Sequence, residues 1–176
     1  MAKMRKTNQE DPNQHWDNVN VKDRVVLDLG CGDFGNATSF KYPTTLEYFL
    51  NKEAKFVVGV DSDLSDVTML LSKQLPQEKH IIINDTIDSS DKILSLVKQY
   101  NIEIIKSDIE GGERFLFDLN DDDFCLIDEY YIETHGTLLY NECLKKLNYC
   151  GYDIYDQLNL SHTEGSSKVI FARKKT

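Results

Sequence analysis

Residues 24–35 are the first place in this chain where side-chain types and spacing could do chemistry. The run Arg24-Val25-Val26-Leu27-Asp28-Leu29-Gly30-Cys31-Gly32-Asp33-Phe34-Gly35 reads as a short buried strand that stops at a glycine turn. Glycines at the first, third and sixth places of such a turn serve a tight reversal, a backbone approach to a ligand and close strand-to-helix contact. That spacing alone points weakly to a nucleotide-like cofactor. Asp28, two residues before the first glycine, sharpens the reading. A carboxylate there would repel a pyrophosphate and attract the ammonium of an amino-acid-bearing cofactor. Asp28, Gly30, Cys31, Gly32 and Gly35 are therefore expected to border such a cofactor.

Further polar residues recur where apolar stretches end. Asp61, with Ser62 beside it, follows the apolar residues 56–60 and is placed to accept hydrogen bonds from both hydroxyls of a ribose. Its competing role is to cap the next helix, for which Asp63 is the better candidate. Asn84 and Asp85 close a third apolar stretch, where an adenine amine would lie, although a turn-forming Asn-Asp pair explains them almost as well. In Lys106-Ser107-Asp108-Ile109-Glu110-Gly111-Gly112-Glu113, charged groups crowd the end of a strand and the start of a helix. Like charges so close cost stability unless a ligand or partner relieves them. Asp108 is expected to border the cofactor, and His135 lies at the mouth of the neighbouring strand. Glu110 and Glu113 read as ligands, helix-start charges or partners of Lys106, and Glu133 as a site residue or a second holder of Lys106.

These residues must be positioned by strands and helices that alternate. The pattern predicts strands over residues 25–29, 56–60, 80–83, 102–106 and 124–133. Helices follow over 44–52, 64–74, 89–100, a short stretch after Gly112, and 137–149, where Gly151 caps the last. Residues 152–155 and 168–172 are two more strands with no room for a helix between them, so they pair antiparallel. The expected fold is α/β: a Rossmann-like, doubly wound, seven-stranded sheet, mostly parallel, with a C-terminal antiparallel β-hairpin. In such open sheets ligands sit beyond the carboxyl ends of the strands, where the polar clusters fall.

The motif Asp28-x-Gly30-x-Gly32 resembles the cofactor loop of class I S-adenosylmethionine (SAM) methyltransferases, whose sheet has the same strand succession. Lys106-x-Asp108-x-Glu110-Gly111-x-Glu113 resembles the K-x-D-x-E-G-x-E signature of the FkbM-type O-methyltransferases, and Ile132-Glu133-Thr134-His135 their I-E-x-H strand end. The chain departs from that family at the glycine turn, usually D-x-G-A-N-x-G, and at Asp61-Ser62-Asp63, usually Glu-Pro-Asn. The resemblance implies methyl transfer from SAM to a hydroxyl of a small molecule or sugar. A hydroxyl acceptor must lose its proton to a base or at a metal. Asp108 and His135 are read as a carboxylate-oriented imidazole base rather than a metal seat, because two ligands are few for a hard cation; no metal is expected.

With 176 residues, the chain is read as residues 1–20, a polar arm that could be disordered, helical or a lid, and one SAM-binding methyltransferase domain over 21–176. No apolar run suits a membrane span, and no secretion signal or C-x-x-C pair is present, so four reduced cysteines in a cytoplasm are expected. A net charge of −10 without a basic stripe argues against a nucleic-acid partner, as does the missing N-P-P-[YFW] motif of base N-methylation. Homodimerisation is left open. The competing functions are a non-catalytic SAM-binding module working with a partner, a nucleic-acid methyltransferase, and an NAD(P)-dependent oxidoreductase, which Asp28 and the terminal hairpin disfavour.

Overall fold

The computed structural model describes residues 4–6, 16, 18–32, 44–64, 73–160 and 167–175. Gly35, most of the helix expected over 64–74 and most of the N-terminal arm lie outside them. One sheet contains β1 (Met4–Lys6), β2 (Val25–Leu29), β3 (Phe56–Asp61), β4 (His80–Asn84), β5 (Ile104–Ser107), β6 (Glu129–His135), β7 (Tyr152–Leu160) and β8 (Ser167–Lys174). Its order is β1-β7-β8-β6-β5-β2-β3-β4. β8 runs antiparallel to both β6 and β7, and the remaining pairs are parallel. The seven expected strands and the terminal hairpin are present, and β1, from the arm, adds a further edge strand. The architecture is Rossmann-like α/β.

Helices α1 (Thr45–Asn51), α2 (Ser90–Tyr100), α3 (Arg114–Phe117), α4 (Asp121–Phe124) and α5 (Thr137–Tyr149) connect the strands. Thr44 caps α1 by accepting from Glu47 N–H at 3.1 Å, which satisfies one of the donors that a helix start leaves free. Asn101, at φ +53°, ends α2 in the left-handed conformation that Asn tolerates. The fifth parallel strand begins later than the expected residue 124. Asn120 caps α4 through Asp123 N–H, three aspartates fill the first turn, and Phe124 belongs to that helix.

The strands alternate between two core layers. Val25, Leu27 and Leu29 join Ile105, Tyr130, Ile132, Ile93, Leu116 and Leu147 on one face. Val26 joins Val57, Ile104, Tyr131, Phe171, Leu46, Phe49 and Trp16 on the other. Trp16, from the arm, is buried edge-on against Phe171. Two residues beyond Val26 and Ile104, the period-2 pattern turns Asp28 and Lys106 into that second layer. They are direct neighbours in the β2–β5 register. Among the described residues, no helix is long and apolar enough to cross a membrane.

Candidate functional site

The glycine turn and the β5 loop meet at the carboxyl ends of the central strands. Gly30 has φ +77°, and a Cβ there would stand 1.9 Å from the Asp108 carbonyl oxygen. The residue must be glycine because another backbone segment, the one carrying Asp108, lies against it. At Gly32 a Cβ would meet Asp61 Oδ2 at 2.8 Å, and the Gly32 N–H donates to that oxygen. Asp61 Oδ1 accepts from Asp63 N–H at 2.9 Å. Asp61, the last residue of β3, is thus held by two backbone amides, and each oxygen retains a lone pair.

A cleft of about 180 Å³ opens beside it, lined by Gly30, Val60, Asp61, Ser62, Asp85, Thr86, Ile87, Asp108, Ile109 and Glu110. Val60, Ile87 and Ile109 give it apolar walls, and four carboxylates give it charge. No lysine or arginine is among these described lining residues. Asp85 stands at the rim, with its carboxyl held below the usual range mainly by a 3.0 Å contact from Lys92. Asn84 is exposed and does not line the cleft.

Asp28 and Cys31 differ from expectation. Asp28 is fully buried, its Oδ1 lies 3.0 Å from Lys106 Nζ, and its Oδ2 accepts from the Thr45 hydroxyl. Burial raises its carboxyl, against the pull of Lys106 and Thr45. A carboxylate so enclosed is already neutralised by a partner from its own chain, and it is not exposed in the cleft. Lys106, 1% exposed, also donates to Leu29 O at 3.3 Å and Gly30 O at 2.7 Å and lies 5.6 Å from the Trp16 ring centre. Burial pulls its ammonium down, but Asp28 and then Asp108 outweigh that, and the net shift is upward. Its partner is thus Asp28 rather than Glu110 or Glu113. Cys31 is buried in the second core layer, away from the cleft, and burial pushes its thiol up.

The acidic loop converges on His135. Glu113, fully buried, accepts from Ile109 N–H at 3.1 Å, from Gly111 N–H at 2.8 Å and from His135 Nδ1 at 2.9 Å. The other ring nitrogen, Nε2, faces Glu133 Oε1 at 3.6 Å, Asp108 Oδ1 at 3.7 Å and Glu110 Oε1 at 3.8 Å. The hydrogen bond to Glu113 leads in raising the imidazole to about 9, with the nearby carboxylates outweighing partial burial. That differs from the value near 6.5 expected for an unperturbed base. Burial, reinforced by Asp108, raises Glu133 to about 7.

The sequence missed Thr45 and Trp16 around the buried pair, and Ile87 and Ile109 as cleft walls. Their roles depend on strand order and loop path, which no local motif encodes.

No family model matches the sequence, and no curated protein matches it. Solved structures do match in fold. TrmK of M. capricolum, in complex with S-adenosyl-homocysteine, is 15% identical with a TM-score of 0.63 over 93% of this chain and 67% of that one. Fibrillarin of Aeropyrum pernix, with natively bound S-adenosyl-L-methionine, is 15% identical with a TM-score of 0.58 over 88% of this chain and 68% of that one. The fibrillarin pre-rRNA processing protein of Methanococcus jannaschii is 13% identical with a TM-score of 0.56 over 89% of this chain and 69% of that one. At such identities the likeness shows the fold alone, and two of these three structures hold S-adenosyl-homocysteine or SAM.

Proposed function

We propose that this chain is a SAM-dependent methyltransferase of the FkbM type that acts on a hydroxyl of a small molecule or sugar. The observation that carries the cofactor reading is the charge of the cleft: Asp61, Asp85, Asp108 and Glu110 line it without a basic residue among the described ones. Such a lining suits a cationic cofactor with an ammonium and a sulfonium, and it opposes the pyrophosphate of NAD(P). The residues fit the group. Asp61, fixed by Gly32 and Asp63, offers its free lone pairs to the two ribose hydroxyls. Val60, Ile87 and Ile109 supply apolar surface for the base. Bound SAM would supply an activated methyl for in-line transfer. The chain's part is to orient the nucleoside and hold the acceptor beside Asp108, Glu133 and His135.

Calorimetry with S-adenosyl-homocysteine and with NAD⁺ tests this reading. S-adenosyl-homocysteine is expected to bind, and NAD⁺ is not. Asp61→Asn should weaken binding about 10- to 100-fold, because a charged acceptor to a ribose is worth roughly 1.5–3 kcal/mol. Full affinity in the variant would remove Asp61 from the site.

A nucleic-acid acceptor is the second reading, favoured by the pre-rRNA processing protein among the similar structures. The net charge of −10 weighs against it. Incubation with labelled SAM and either total RNA or a panel of sugars separates the two by which fraction takes up label.

A further inference from the structure

We propose that Asp108, Glu133 and His135 form a seat for one divalent first-row cation, of which Mn²⁺ is the type, at the rim of the cleft. One ligand atom from each of these residues lies within 4.8 Å of the others. They come from rigid places: Asp108 directly follows β5, and Glu133 and His135 are the fifth and seventh residues of β6, on the same side of that strand.

The imidazole geometry separates a cation seat from an ordinary surface ion cluster. Nδ1 is committed to Glu113, a fully buried carboxylate that is itself fixed by two backbone amides. Orientation of a ligating histidine by a carboxylate on its other nitrogen is the usual outer support of a metal site. Nε2 is thereby aimed at carboxylate oxygens of three residues at 3.6, 3.7 and 3.8 Å. A cation must displace the proton that the raised imidazole holds at neutral pH, and no carboxylate oxygen has been drawn to the roughly 2.7–2.9 Å of a tight ion pair with Nε2. That nitrogen stands nearly equidistant from three. Ligands about 2.1–2.2 Å from a common ion lie roughly 3.0–3.5 Å from one another, so the Nε2–carboxylate spacings of 3.6 and 3.7 Å need closure by a few tenths of an ångström, and the full set, spread within 4.8 Å, by up to roughly 1–2 Å through side-chain rotation.

One imidazole with two carboxylates is a mixed nitrogen and oxygen set. It suits Mn²⁺, Fe²⁺ or Co²⁺ better than Ca²⁺ or Mg²⁺, which favour all-oxygen shells. Lys106, the neighbouring buried cation, is already held by Asp28, Leu29 O and Gly30 O. It is not free to swing in and neutralise the carboxylates. Three protein ligands leave coordination positions open. An acceptor hydroxyl placed there would be acidified beside Asp108, which also lines the cleft; this role rests on the methyltransferase reading, whereas the seat itself does not.

Electron paramagnetic resonance titration of the full chain with Mn²⁺, without SAM, reads the seat directly. One Mn²⁺ per chain is expected to bind saturably, and Glu133→Gln and His135→Ala should each weaken it at least about tenfold. Asp108→Asn, at a partly exposed position, serves as the variant where either of those does not fold. Absence of saturable binding by the wild-type chain at millimolar Mn²⁺, or equal affinity in wild type and folded variants, would overturn the proposal. Calorimetry with S-adenosyl-homocysteine on the same samples reads the methyltransferase assignment separately. Mn²⁺ binding without S-adenosyl-homocysteine binding supports the seat and removes only its part in methyl transfer.

Discussion

Replacing Lys106 by methionine should destabilise the fold strongly at neutral pH and much less in mild acid. The substitution keeps the volume and apolar stem but removes the ammonium facing Asp28, Leu29 O and Gly30 O. With Asp28 fully buried, a carboxylate left there without its partner would be expelled or protonated. Protonation sets a ceiling on the charge penalty. Keeping Asp28 neutral in the fold while it ionises in the unfolded chain costs about 1.36 kcal/mol per pH unit above about 3.9, or about 4.2 kcal/mol at pH 7 and about 1.5 kcal/mol at pH 5. The sign follows from linkage. Without Lys106 the folded-state carboxyl is raised further above its unfolded value. The proton-bound fold is then fully stable below the unfolded value and loses stability as pH rises. Urea unfolding of wild type and Lys106→Met at pH 5 and pH 7 should show a difference that grows by up to about 2.7 kcal/mol between the two conditions. The double variant Asp28→Asn/Lys106→Met should recover much of the loss at pH 7, because it removes the orphaned charge. A small, pH-independent loss in Lys106→Met would refute the buried-pair argument.

Gly30→Ala should cost at least about 2 kcal/mol, since it combines a left-handed backbone with a Cβ driven into the Asp108 carbonyl; an unchanged melting temperature would contradict the close approach of the two loops. Proton NMR of the histidine ring signals should find one imidazole titrating at about 9 in the wild type, and Glu113→Gln should bring it down toward 6.5. The folded-state value being raised, its contribution to stability is complete below about 6.5 and lost as pH rises through about 9. In Glu113→Gln that loss should shrink. A high imidazole value that survives in the variant would place its cause elsewhere.

The central parallel strands β2, β3 and β5 were legible because both their faces are covered. Val25–Leu29 is buried at every position, so it reads as an apolar run interrupted only by Asp28 rather than as an alternation. The same property misled at residues 124–127. Phe124 and Ile127 are as buried as strand residues, yet they belong to a capped helix and the turn after it. The run Asn120-Asp121-Asp122-Asp123 was the available warning, since acidic residues behind an Asn cap mark a helix start. Gly30 was legible as a place of close approach, although the neighbour that demands it is the Asp108 backbone. The charge of Asp28 was legible but its partner was not. Asp28 and Lys106 lie far apart in sequence and meet because β5 lies beside β2, which the strand order decides and no local pattern does.

The pairing of Asp28 with Lys106 changes what the glycine turn and the acidic loop are to each other. Lys106 reaches back across the strand boundary to the carbonyls of Leu29 and Gly30 and so holds the start of the turn from the β5 side. Asp108, two residues further on, donates its N–H to Leu29 O and puts its own carbonyl against Gly30. Its side chain reaches the cleft on one side and the His135 cluster on the other. Glu113 then closes the loop by binding Ile109 and Gly111 through their amides and His135 through its ring. The cleft and the cluster are therefore built on one segment, residues 106–113, clamped at both ends by buried charged groups. A charge-neutralising change at either clamp, Lys106 or Glu113, should disturb both the cleft and the cluster, whereas Asp61→Asn should affect the cleft alone.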